Sequence, residues 1–380
     1  MFAHPPRFID YFTLNGHAPE DITQLSKFKT VVVANQRAYA GNFTQDGVRY
    51  ADRMIKSPPG QYDKFPSTRF VDIVTDDGDE IVYLTSFADR VLQFKRKRLY
   101  IINIAEDTEY LESEHKFMGV LTPAAVVVLE SGVAWVNHNG VYFYDGKTIH
   151  SLMEREGFKR IDSNFWFDST GSAANFMTRT GYYPMIGYIK DRKQLLVTQS
   201  ASANGTGDIM IYDMPTASWT RGKTKLTGTS VVSNFVNDWD GNLLFYDYGG
   251  NDGDPDGAMK QWNSAPAASS TFKLATRDID FGYPGLYKVY ISYKGDASAI
   301  RVKYGVNGET DVDDMYQFNS DDTPLENKTD LESWHRAELK PTTKAEANGI
   351  YSFRLHLDET AAANFEINDM TILYRIKGVK

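Results

Sequence analysis

The sequence predicts an all-β protein: a β-propeller of about five or six blades followed by a jelly-roll-like β-sandwich. Three observations carry this. Aromatic residues make up 13% of the 380-residue chain, with 23 Tyr, 22 Phe and 6 Trp, and aromatic side chains favour half-buried pleated surfaces. Short apolar runs are separated by Asn-Gly, Asp-Gly and Gly-rich turns, while helical periodicity is confined to brief stretches at 18–28 and 152–159. A hairpin also recurs: GVYFYD at 140–145, GDIMIYD at 207–213 and GNLLFYD at 241–247 each run from a glycine turn through an apolar strand to Tyr-Asp.

Taken in order, VVVANQRAYAGNF (31–43) with VRYADRMIKS (48–57) reads as one blade, and IVYLTSFADRVLQFKRKRLYIINI (81–104) as part of another. The clearest unit spans 125–152, where AVVVLE, VAWVN, VYFYD and TIHSL form a four-stranded meander. Residues 184–220 and 229–262 give two more. A solenoid or a sandwich would also hold meanders in series, but radial packing needs no terminal caps and tolerates hairpins of varied length.

The composition changes at 263–270, NSAPAASS, which reads as a linker between a propeller over 1–265 and a sandwich over 271–380. Beyond it the strands alternate with period two. Tyr287, Val289, Ile291 and Tyr293 are expected on one face, with Lys288, Tyr290 and Ser292 on the other. Tyr351, Phe353, Leu355 and Leu357 point inward by the same rule, as do Ile300, Val302 and Tyr304, while His356 faces out. A phase shift between Ile367 and Met370 predicts a bulge near Asn368 and Asp369.

Composition excludes several chemistries. The net charge of −9 argues against a broad nucleic-acid-binding face. With no cysteine there are no disulfides, thiolate nucleophiles or Cys-ligated metals. No run is apolar enough for a membrane helix, and the N-terminal MFAHPPRFIDYF does not read as a signal peptide. The seven histidines lack metal-ligand spacing, and no G-x-S-x-G elbow occurs.

Three candidate sites remain. Paired carboxylates for glycoside hydrolysis would come from Asp76, Asp77, Asp79 and Glu80, or from Glu106, Glu109, Glu112 and Glu114; both runs read equally as solvated turns. Asp252, Asp254 and Asp256 in DGDPDG match the opening of a calcium loop. The twelfth position holds Asn263 instead of Glu, and Lys260 adds a positive charge, so an exposed acidic turn accounts for the run as well and no cofactor is expected. Trp334, Tyr283 and Tyr290 would form a sugar-stacking platform at the sandwich edges, unless they are core.

A longer motif lies between Arg53 and Tyr100. RMIKSPPGQYDKFP (53–66) is followed by DGDEI (77–81) and LTSFADRVLQFK (84–95). The segment resembles the propeller of short-tailed bacteriophage tail proteins, the nozzle (tail tubular protein B) and tail-hub group. In that group a strand with R-x-x-x-S-x-x-G leads to D-x-F-P, and a hairpin F-x-D-R-L-x-x-F-K follows. GVAWVNHNGVYFYDG (132–146) is similar to the group's next blade. The likeness covers about 28–265; nozzle proteins are usually much larger.

The resemblance implies a structural virion protein of the tail, assembled in the host cytoplasm. It would form a ring, usually sixfold, around a channel that passes viral DNA without sequence-specific binding. Its other partners would be tail proteins such as the adaptor, fibres or tail tip. On that reading the chain is not an enzyme. The competing expectation is a glycan-binding adhesin or a polysaccharide depolymerase that meets a host-surface glycan.

Overall fold

The computed structural model describes residues 25–26, 28–45, 47–66, 68–74, 77–106, 108–155, 158–159, 183–199, 209–222, 231–232, 234–248, 258–262, 269–280, 284–319, 325, 328–342, 347–362 and 365–376. The chain is nearly all β and divides into two units, Met1–Trp262 and Asn263–Lys380. The first is the propeller and the second the sandwich.

Five blade sheets are present among the described residues of the first unit. The first is built on Thr30–Ala34, Arg37–Gln45 and Val48–Lys56, with short strands added at Leu25–Ser26 and Phe70–Val71. The second is the meander Ile81–Phe87, Arg90–Lys95, Arg98–Asn103 and Tyr110–Lys116; the third is Val126–Leu129, Gly132–Asn137, Gly140–Tyr144 and Ile149–Ser151. Pro184–Ile189, Gln194–Gln199, Ile209–Asp213 and Ser218–Gly222 make the fourth. The fifth joins Val231–Val232, Val236–Asn237, Leu243–Tyr248 and Ala258–Gln261.

Apolar packing runs between blades. Tyr39 and Met54 of the first blade meet Ile81, Leu84, Val91 and Ile102 of the second. Phe94 and Leu99 join Trp135 and Val141, and these join Ile186, Leu195 and Met210, so one cluster spans the second, third and fourth blades. Met185 and Leu196 continue it to Leu243 and Phe245 of the fifth.

The recurring hairpin has a polar explanation. The terminal Asp of the first two Tyr-Asp pairs closes the next turn: Asp145 Oδ1 accepts the amides of Lys147 and Thr148, both at 2.7 Å, and Asp213 Oδ2 accepts the Thr216 amide at 3.0 Å. The Asn that ends the preceding strand ties its blade to the one before. Asn137 Nδ2 donates to the carbonyls of Phe117 and Gly119, and Asn237 Nδ2 to that of Tyr188 at 2.9 Å.

The residues that carried the tail-protein resemblance do similar structural work. Ser57 is fully buried and its Oγ accepts the Ala38 amide at 2.8 Å. Phe65 is buried. Ala88 and Asp89 form a two-residue hairpin turn, both with positive φ (47° and 57°). Lys95 is wholly enclosed and pairs with Asp77 at 2.9 Å.

The second unit packs a sheet on Ser269–Ala275, Ser352–Ala362, Arg301–Val306 and Tyr316–Gln317 against the three strands His335–Leu339, Pro284–Lys294 and Glu366–Ile376. Its first strand begins at Ser269, inside the stretch read as a linker. Val289, Ile291, Tyr293, Ile300, Val302, Tyr304, Phe353, Leu355 and Leu357 fill the core as the period predicts. A register shift opposite Asn368 marks the expected bulge.

Three positions depart from the alternation. Tyr287 is 62% exposed, because a second register shift between Leu286 and Lys288 turns it outward. Tyr351 precedes the regular strand and is half exposed, and His356, expected outside, is buried between neighbouring strands at Ala275 and Lys303.

Candidate functional site

Most of the acidic residues are committed to cations, while Asp79 accepts backbone amides and Glu106 is exposed. Asp77 Oδ1 accepts Lys95 Nζ and its Oδ2 accepts the Tyr100 hydroxyl at 3.0 Å. Burial alone would raise the Asp77 pKa, but Lys95, the Asp79 amide and Tyr100 hold it below the ordinary carboxylate range. Glu80 lies among Arg49, Arg96 and Lys29; burial opposes ionisation, yet Arg96, Asn42 and Lys29 bring it down to about 2. Glu109 accepts Lys56 Nζ and the Tyr39 hydroxyl, Glu112 pairs with Arg90 and Glu114 with Arg98. These groups form charge ladders across blade edges, and Asp76 lies outside the described residues.

Asp252, Asp254 and Asp256 also lie outside the described residues. Among the described residues no cluster of three or more His, Asp or Glu is arranged to hold a metal ion.

The aromatic candidates converge in part. Tyr283 lies outside the described residues, but Tyr290 lies on the outer face of the three-stranded sheet, and Trp334 immediately precedes the neighbouring strand His335–Leu339. The alternation explains why. Val289, Ile291 and Leu339 are buried, which sends Tyr290 and Ser292 outward on one strand and Arg336 and Glu338 outward on its neighbour. Trp334, two residues before Arg336, is 51% exposed.

Tyr290 stands directly across from Glu338, and its hydroxyl donates to Glu338 Oε2 at 3.1 Å. The Arg336 guanidinium lies over the Tyr290 ring, 4.0 Å from its centroid. Lys288 and Lys340 reach Glu338 Oε1 at 2.7 and 3.0 Å. Hydrogen bonds from Lys288, then Lys340, then Tyr290 bring the Glu338 carboxyl down to about 2, so it stays ionised. Tyr287 lies at one end of this face with Lys288 Nζ 5.2 Å from its ring centroid. On the other side Thr371 pairs with Tyr290 and half-exposed Leu373 pairs with Lys288.

Such a face can take a ring whose one side is C–H and whose rim is hydroxyl. Exposed aromatic faces accept the apolar side, and the fixed Arg–Glu–Lys array supplies donors and acceptors at the rim. The four steps from Trp334, just before the strand, to Glu338 span roughly 14 Å, so the surface is extended rather than a pocket. The sequence reading found Tyr290 and Trp334 but missed Lys288, Arg336 and Glu338. The period-two spacing of Trp334, Arg336 and Glu338 was the available signal.

No family model matches the chain, and no curated protein does. Solved structures do match. The extracellular domain of a hybrid two-component system from B. thetaiotaomicron is 12% identical with a TM-score of 0.36; the match covers 62% of this chain but only 27% of that one. A glycoside hydrolase family 43 arabinoxylan arabinofuranohydrolase from Bacillus subtilis is 11% identical over 91% of this chain and 66% of its own, with a TM-score of 0.26. Trypanosoma rangeli sialidase is 12% identical over 93% and 82%, with a TM-score of 0.31. Two of these three are glycan-acting enzymes, so the expectation that the chain is not an enzyme is withdrawn. At these TM-scores the likeness transfers no residue role and no activity.

Proposed function

We propose that this protein is a carbohydrate-recognition protein that holds a glycan chain on the outer face of its second unit. The observation that carries this reading is the gathering of Tyr287 and Tyr290 with Arg336, Glu338 and Lys288 on one solvent-facing sheet surface, with exposed Trp334 just before the strand that carries Arg336. The face keeps large rings outside and fixes one of them beneath a guanidinium. Exposed aromatic and arginine groups clustered this way mark interaction surfaces.

The test is titration of the full chain with a panel of soluble polysaccharides, comparing wild type with Trp334→Ala and Tyr290→Ala. Each variant is expected to weaken binding at least tenfold with little change in melting temperature, since both rings leave the core undisturbed. Unchanged affinity in both variants would remove the face from the reading. Reducing ends released during the same incubations report whether the bound glycan is also cleaved.

A second reading rests on the Arg53–Tyr100 motif and its resemblance to phage tail nozzle and hub proteins. On it, the chain is a virion component that rings the tail channel with copies of itself, contacts other tail proteins and lets DNA pass. The buried positions of Ser57, Phe65 and Lys95 support a motif kept for blade architecture. Mass measurement in solution separates the readings: a closed ring supports the tail role, and a monomer or small oligomer that binds glycan supports recognition alone. A ring whose sandwich units bind glycan satisfies both.

A further inference from the structure

The second and third blades meet at a cleft of about 130 Å³ lined by Arg96, Lys97, Phe117, His138 and Asn139, with Gly119 and Asn137 behind them. Its walls are two hairpin turns and the segment that crosses between them. Residues 95–98, Lys-Arg-Lys-Arg, turn the strand Arg90–Lys95 into Arg98–Asn103. Three of these four cations are matched: Lys95 by Asp77, Arg96 by Glu80 and Arg98 by Glu114. Asp79 is nearby, but its oxygens accept the backbone amides of Glu80, Arg96 and Lys97. Among the described residues the Lys97 ammonium has no carboxylate partner.

Phe117 forms the opposite wall in an unusual way. It is 73% exposed and has φ of +64°. That backbone region suits Gly or Asn and is strained for an aromatic residue. The strain is held in place from several sides. The Phe117 amide donates to the Lys97 carbonyl at 2.8 Å, and the Phe117 carbonyl accepts Nδ2 of both Asn137 and Asn139 at 3.0 Å. Gly119 lets the crossing segment lie close: a Cβ there would come within 2.4 Å of the Lys95 carbonyl oxygen. The ring contributes little burial, so folding does not account for its place. His138 completes the cleft, and burial holds its imidazole below the ordinary value, so it is neutral at pH 7.

We propose that this cleft binds the carboxylate-bearing ring of an acidic sugar, with the carboxylate on Lys97, the apolar ring face on Phe117 and the hydroxyls toward His138 and Asn139. A single six-membered ring is close in size to the benzene that fills a cavity of roughly 150 Å³. The site uses residues 96–139 only and shares no residue with the face on the second unit, so either can fail without the other.

The experiment is calorimetric titration of the full chain with D-glucuronate, D-glucose and inorganic phosphate. Glucuronate is expected to bind with a Kd of about 1 mM, at least tenfold tighter than glucose. Lys97→Met should lose at least tenfold. Phe117→Gly should lose binding as well while raising the melting temperature by about 2–4 °C, because glycine relieves the strained φ. Equal binding of glucose, an unaffected Lys97→Met variant, or phosphate binding as tightly as glucuronate would overturn the acidic-sugar assignment. Trp334→Ala should leave glucuronate binding unchanged; its loss there would place the sugar on the second unit instead.

Discussion

The two units use large aromatic side chains in opposite ways. In the propeller, Trp135, Tyr39, Tyr100 and Tyr144 are all enclosed, and strands such as Gly132–Asn137 and Pro184–Ile189 are buried at all six positions. The second, third and fourth blades each have a neighbour packed on both faces, so both sides of their strands become core. In the sandwich each sheet has one inner face. His335–Leu339 alternates between exposed and covered positions, and rings at Tyr287, Tyr290 and Trp334 stay on the outer side. Tyr62, Tyr110, Phe117, Tyr183 and Trp239 are exposed in the propeller too, on separate strands and turns. The contrast is that the sandwich sets its exposed rings beside a charged array on one sheet face.

The comparison also holds for charge, and there it can be broken most sharply. Lys95 is enclosed with Asp77 and also donates to the Val74 carbonyl at 2.9 Å. Lys95→Met would leave a mostly buried carboxylate without its cation, which costs about 3 kcal/mol and lowers the propeller's melting temperature by roughly 6–12 °C. Calorimetry that finds the propeller transition unmoved would mean that this pair is as unimportant as a surface one.

A smaller effect is expected in acid. The carboxyls of Asp77 and Glu80 are depressed in the folded propeller, Glu80 to about 2. A depressed carboxyl contributes stability that is complete above its unfolded value, near pH 4.3 for Glu, and is lost as pH falls through the folded value. Glu80→Gln should therefore lower the melting temperature by a constant amount from pH 7 to about 4.5. The difference from wild type should shrink toward zero as pH approaches 2. A difference that persists at pH 2 would show that Glu80 acts through packing and hydrogen bonding rather than charge.

How far the sequence discloses this architecture depends on the range of the interaction. The blades were readable because each is a local meander, and because Tyr144-Asp145 and Tyr212-Asp213 repeat a turn whose bonds reach only two or three residues. The sandwich core was readable from its period. What failed was Tyr287, the extra residue of a bulge in its own strand that shows only in the pairing with Leu373 and Tyr374. Glu338 was missed for the same reason: Lys288 and Tyr290 reach it across a register that the sequence does not display. Phe117 gave no signal at all, because nothing in a phenylalanine suggests a left-handed backbone.

The smallest expected effect on stability is at Glu338, and it separates the two kinds of charge array. Glu338 is bonded to Lys288, Lys340 and Tyr290, as many partners as Asp77 has, and its carboxyl is held at about 2. Yet it lies on an open face, where solvent and salt screen the pairs. Glu338→Gln is accordingly expected to shift the melting temperature by no more than about 1 °C, in contrast to Lys95→Met. Its effect should appear in binding. Without the carboxylate, Lys288 and Lys340 lose their common anchor and Tyr290 loses its charged acceptor, so the polar rim is no longer preorganised. Polysaccharide titration should then show several-fold weaker binding to the second unit. A large fall in melting temperature with binding intact would make Glu338 a structural group like Asp77, and the contrast between the two units would then lie in their aromatic residues alone.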